Sequence, residues 1–144
     1  MLNRNIFFGN FGMWIRPLYM EGFQNKTITA VVRPGDRSTP SEPTGYWLPK
    51  GKDVAIRFIK KAGDPVKKVP PEFFPDEGIT VHVTDCIVKK IRDLTPEDLR
   101  GMAPDTATPE LVRYHLATIY NTPLPSLDDV VTIWRFKYRP NVTK

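Results

Sequence analysis

The sequence predicts an α+β fold, a mixed and mostly antiparallel β-barrel of five or six short strands with two or three short helices. Three observations lead there. Several segments rich in Val, Ile, Thr and Phe alternate apolar and polar residues with the period of two that a half-buried strand requires. Thr95-Pro96 and Thr108-Pro109 each precede acidic residues, a pattern that starts helices because the hydroxyl caps free N–H groups and the acids face the positive end of the dipole. The 15 prolines cluster in the connections, which predicts ordered loops. With 144 residues, 40% of them apolar and 26% charged, the chain fits one domain over 1–144 with a sizeable core.

Residues 1–10 form an N-terminal arm, since Phe7, Phe8 and the following Phe11 are too apolar to lie free in water. Phe11 to Ile15 follows as a strand. Pro17 suits the first turn of a short helix that ends near Asn25, with Leu18 and Gly22, and Met20 and Phe23, at helical spacing. Thr27 to Arg33 is β-branched and predicts a strand, stopped by Pro34-Gly35-Asp36. Residues 34–46 have loop composition and are long for a connection in a compact domain, which predicts an insertion over a cleft. Tyr46-Trp47-Leu48 anchors that loop.

In Asp53 to Lys60, Val54, Ile56 and Phe58 share one strand face. Residues 61–77 make another loop, and Ile79 to Ile91 a strand that bends near Asp85-Cys86. A helix is expected to start at Thr95, and a second to run from Pro109 to Tyr120 with Val112, Leu116, Ile119 and Tyr120 as its buried stripe. Val130 to Tyr138 is apolar on both faces near Val131 to Ile133, so it is expected to be a central strand.

The net charge of +5 permits an anionic partner such as RNA. The single cysteine, Cys86, allows no internal disulfide, which is compatible with a reducing, cytoplasmic setting. The apolar run over 6–15 is broken by Asn10 and two glycines, is too short to span a membrane, and is followed by no cleavage site. No metal or cofactor is expected. His82 and Cys86 would lie about 13 Å apart along a strand, His115 is a lone helix histidine, and no Gly-rich phosphate loop is present. Ser38, Ser41 and Ser126 all fall in loop composition and nominate no nucleophile.

The remaining candidates lie in Gln24-Asn25-Lys26-Thr27-Ile28-Thr29, running on to Arg33. On spacing alone, Lys26 is a solvated turn residue and Thr29 a surface strand residue; the two act together only if Lys26 sits in a turn before the strand, with Asn25 tolerating the left-handed conformation. Lys-Thr-x-Thr after a short helix resembles the signature of the ASCH domain family, which is PUA-like in fold. Leu48-Pro49-Lys50-Gly51-Lys52-Asp53-Val54 resembles the family's turn into a strand, Leu94-Thr95-Pro96-Glu97-Asp98-Leu99 its Leu-Thr-x-Glu helix, and Val130 to Tyr138 its closing strand. The likeness covers roughly residues 11–139 and lies in the shared order of these segments.

The resemblance implies an action on RNA or on a modified nucleoside. In family members that remove the acyl group of N4-acetylcytidine, a Thr attacks the carbonyl, a Lys takes its proton and a carboxylate assists the leaving amine. Lys26 and Thr29 match the first two, and alignment places the carboxylate near Asp105, with Glu97 and Asp98 as fallbacks. A base lysine must be buried, because a free one is protonated at neutral pH. Arg33 departs from the family pattern, following Thr29 by four residues; with Thr27 it is expected to line the cleft. The other reading is a non-catalytic or ribonuclease-like single-stranded RNA-binding module, with Tyr46 and Trp47 stacking bases and Lys50 and Lys52 meeting phosphates. A protein-interaction adaptor is a third.

Overall fold

The computed structural model describes residues 6–7, 10–38, 50–64, 66–120 and 122–139. Among the described residues there are seven strands: β1 (Ile6–Phe7), β2 (Asn10–Ile15), β3 (Ala30–Pro34), β4 (Asp53–Lys61), β5 (Glu72–Phe73), β6 (Thr80–Lys90) and β7 (Val130–Tyr138). Helix α1 (Met20–Gln24) extends a 3-10 turn at Pro17–Tyr19, and α2 covers Pro109–Tyr120. Further 3-10 turns lie at Ile91–Asp93 and Pro104–Thr106. The fold is α+β with a mixed, mostly antiparallel sheet in the order β1-β2-β4-β6-β7-β3, and β5 pairs with the far end of β4. Only the β2–β4 ladder is parallel among the described strands.

The expected closure into a barrel does not occur. No ladder joins β2 to β3, so the sheet stays open along that seam. Two local constraints explain it. The β1 hairpin occupies the outer edge of β2 at Asn10 and Phe11, and β3 is only five residues long and ends in Pro34, which has no N–H to donate. The strand expected from Thr27 begins late because its first N–H groups bond elsewhere. Thr27 and Ile28 both donate to Gly22 O, at 2.9 and 3.1 Å, and Thr29 donates to Gly101 O at 2.8 Å.

Strand β7 is buried on both faces. Trp134 and Phe136 join a core with Met13, Phe23, Val54, Ile56 and Val81. Val131 and Ile133 face the other way, against Ala30, Val32, Val112 and Leu116 beneath α2. Each core thus takes alternate residues of one strand, as the period of two dictates. The bend expected near Asp85 is a bulge, with the β6–β7 register shifting between Val83 and Asp85.

The helix expected at Thr95 does not form. Residues 96–101 make turns only, and the chain leaves them at Gly101, whose φ of +83° is left-handed. The middle of the 34–46 loop, Tyr46-Trp47-Leu48, most of the expected 1–10 arm, and the side chains of Ile119 and Tyr120 lie outside the described residues.

A Cβ at Gly101 would overlap the Thr29 hydroxyl, whereas one at Gly35, also left-handed, would meet nothing within 4 Å. Gly35→Ala is expected to cost about 1 kcal/mol, from backbone strain alone. Gly101→Ala should cost about 2–4 kcal/mol, strain plus overpacking. Urea unfolding of both variants checks this, and equal losses would refute the contact.

Candidate functional site

The open seam holds a cavity of about 220 Å³. Trp14, Ile15 and Arg16 line it from the end of β2, Ala30 to Arg33 from β3, and Arg37 from the turn beyond, with Tyr19 and His115 on the remaining wall. Arg33 spans the seam: Nη1 donates to Val32 O at 3.0 Å and Nη2 reaches Trp14 O at 3.4 Å. It is half-buried and bonded to main-chain carbonyls; no acid among the described residues pairs with it. Arg37 is seated by Nε to Pro34 O at 2.9 Å and by its N–H to Thr132 Oγ1 at 2.8 Å. Arg16, itself exposed, Arg33 and Arg37 therefore border one small cleft, and Arg33 is the one whose guanidinium spans it.

Behind them lies a polar chain. The Tyr19 hydroxyl donates a short hydrogen bond to Asp105 Oδ2, and its oxygen lies 3.2 Å from His115 Nδ1. Burial above all, then the bond to Asp105 and its charge, raise the pKa of Tyr19 against the opposing pull of Arg16 and Arg33, so the phenol is neutral. Burial lowers the pKa of His115; Asp105 pulls it up, while Arg33 and Arg16 push it down. The His115–Asp105 contact, Nδ1 to Oδ2 at 3.5 Å, therefore involves a neutral ring at pH 7. Tyr19 has spent its only proton on Asp105, so the His115 proton sits on Nδ1 and Nε2 is left as an acceptor.

Of the residues expected in the cleft, Arg33 lines it. Thr27 and Asp105 share a second, shallower hollow of about 390 Å³ with Leu18, Glu21 and Asn25. Lys26 and Thr29 line neither. Lys26 is exposed and lacks the burial that a base role requires. It occupies the turn as expected, but is itself the left-handed residue, φ 63°, while Asn25 has φ −93°. Thr27 Oγ1 donates to Asn25 Oδ1 at 2.9 Å. Lys50 and Lys52 are exposed at the start of β4. Ile59, the β4 residue at the cleft, is seven positions beyond Lys52, about 23 Å along a strand. Tyr46 and Trp47 lie outside the described residues. Arg16, Tyr19, Arg37 and His115 were not anticipated as site residues; the sequence hint was His115 beside the Val112–Leu116 stripe.

The fallback acids have other duties. Glu97 makes an exposed ion pair with Arg100 at 2.6 Å. Asp98 and Thr95 cap each other: Asp98 N–H donates to Thr95 Oγ1 at 3.2 Å and Thr95 N–H to Asp98 Oδ2 at 3.0 Å, with Lys89 Nζ on Oδ2 at 2.8 Å. Among the described residues no three His, Cys, Asp or Glu side chains converge as metal ligands, and no helix is long and apolar enough to cross a membrane.

Burial raises the pKa of Asp98, but Lys89 and the Thr95 donors outweigh it, so the folded value falls below the ordinary 3.8. A depressed carboxylate pKa contributes stability above the unfolded value and loses it as pH falls through the folded one. Asp98→Asn should therefore cost about 1–2 kcal/mol at pH 7, and progressively less than that below about pH 4. Denaturant midpoints of both proteins across that range test the sign.

No family model matches the chain, and no curated protein or solved structure is significantly similar to it.

Proposed function

We propose that this chain binds RNA or a modified nucleoside in the seam cleft, as a PUA-like, ASCH-type module in a cytoplasmic setting. The observation that supports this most is Arg33, a half-buried guanidinium held by carbonyls and paired with no acid among the described residues, in a cleft that Arg16 and Arg37 also border. A buried charge without an opposite charge is unfavourable by several kcal/mol, and an anionic ligand removes that cost. Trp14 beside it offers an aromatic surface for a base. The net charge of +5 favours encounter with a polyanion.

The hydrolytic form of this reading, deacylation of N4-acetylcytidine by Thr29, Lys26 and Asp105, asks three side chains to surround one substrate. Asp105 instead faces Tyr19 and His115, and Lys26 is exposed. Binding is the form the geometry supports.

If the cleft neutralises about two phosphate charges, the affinity for a short single-stranded RNA should fall about sevenfold between 50 and 200 mM salt, a slope of about −1.4. Arg33→Ala should weaken binding and lower the slope by about 0.7, while Lys26→Ala at the exposed turn should change affinity far less. Fluorescence anisotropy titrations measure all three. Binding that ignores both salt and Arg33 would sink the cleft as the RNA site.

A further inference from the structure

We propose that the seam cleft is a receptor for a terminal phosphate, the dianionic phosphomonoester of a nucleotide or RNA end, and that His115 takes up a proton when it binds. This rests on the binding reading above and narrows it to a ligand class.

Size and charge both point to an end group. A cavity of about 220 Å³ is smaller than the roughly 300–1,000 Å³ of ordinary ligand pockets, so it accommodates one compact group and not a stack of bases. An internal phosphodiester carries one charge; a terminal phosphate carries about −1.5 to −2 at pH 7 and presents three acceptor oxygens. Arg33 supplies a cation that no acid among the described residues pairs, and Arg16 and Arg37 border the same cleft. Each guanidinium has five N–H donors, so Arg33 keeps its bonds to Val32 O and Trp14 O and still has donors for a ligand oxygen.

A further cation is latent. His115 lines the same cleft, and its Nδ1 is taken by Tyr19 and Asp105. The groups facing it are Tyr19 on the 3-10 turn, Asp105 on the Pro104–Thr106 turn, Arg16 beside β2 and Arg33 on β3. Burial and the charges of Arg33 and Arg16 favour the neutral ring. A dianion reverses that balance: it offsets the arginines and accepts from a protonated Nε2, while Asp105 already stands at Nδ1 to share the charge. By linkage, a ligand that favours the protonated ring raises its pKa, so binding takes up protons and tightens as pH falls toward the free-state value.

Isothermal titration with cytidine 5′-monophosphate, cytidine and inorganic phosphate tests this. The monophosphate should bind at least about tenfold more tightly than cytidine, the gain of one or more charge-assisted bonds, with inorganic phosphate competing. Runs in two buffers of different ionisation enthalpy should show proton uptake by the wild type. The phosphate also titrates near pH 6, so His115→Gln, which keeps a donor toward Tyr19, is the reference: affinity of wild type relative to this variant should rise from about pH 8 to about pH 6. Cytidine binding as tightly as its monophosphate overturns the phosphate claim but leaves nucleoside binding standing. Identical pH profiles for wild type and variant, with no proton uptake by wild type, overturn the role of His115. Failure of all three ligands and of single-stranded RNA overturns both this and the binding reading.

Discussion

Burial of β7 on both faces sets most of what surrounds it. Trp134 and Phe136 must be covered on one side, and Val131 and Ile133 on the other, so a second layer is needed on each face of the strand. The first is β2, β4 and α1; the second is α2 with the turns at 91–103. Both long edges of β7 are then taken, by β6 over nine residue pairs and by β3 over five. The outer edge of β3 is what remains, and it has no strand to pair with because β2 already holds β1 and β4. An open sheet edge is normally a hazard that proteins block with charge, proline or a bulge. Here Pro34 ends the strand and Arg33 folds back onto Val32 O, so the device that protects the edge also places a cation in the seam.

That double duty explains the electrostatics of the cleft. The bonds to Val32 O and Trp14 O partly replace the water that Arg33 loses, but carbonyl dipoles do not neutralise a charge. The acid that reaches this wall, Asp105, has Oδ2 engaged by Tyr19. Arg33 therefore meets no opposite charge among the described residues, in partly desolvated surroundings where an arriving anion is worth more than on an open surface. Tyr19 is central: its hydroxyl connects Asp105 to His115, so one phenol fixes both the acid's orientation and the imidazole tautomer.

The strands were legible because their signal is local. Val54, Ile56 and Phe58 alternate in the sequence and are buried in the structure, and the two-faced apolar run of β7 was readable as a central strand. Where the sequence misled, the deciding partner was distant. Thr95-Pro96-Glu97-Asp98 has the chemistry of a helix start and makes the reciprocal cap, yet the segment turns away at Gly101, whose carbonyl binds Thr29 more than seventy positions earlier in the chain. Closure failed for a similar reason, since a two-residue hairpin strand at Ile6–Phe7 competes for the edge of β2. Of the site, only Arg33 and Asp105 were nominated among the groups that converge. Arg16, Tyr19 and His115 are separated by up to 99 positions in the numbering, with no spacing pattern to join them.

The stretch from Asn25 to Thr29 stands apart from that convergence, and packing accounts for it. Gly22 leaves room that the Ile28 side chain fills; a Cβ there would overlap its terminal atoms. To bring Ile28 back over α1 the chain must reverse within a few residues. Gly22 O accepts two N–H groups across the reversal, and Lys26 adopts φ 63°. A left-handed lysine costs about 1–2 kcal/mol. Burying Ile28, 7% exposed, gains about 1.5–3 kcal/mol, enough to offset it. The strained residue is thus explained by delivering Ile28 to the core and Ala30 to the edge of β7. Its ammonium points to a solvated role, and the chemistry of the fold gathers one seam away, where β2 and β3 fail to meet.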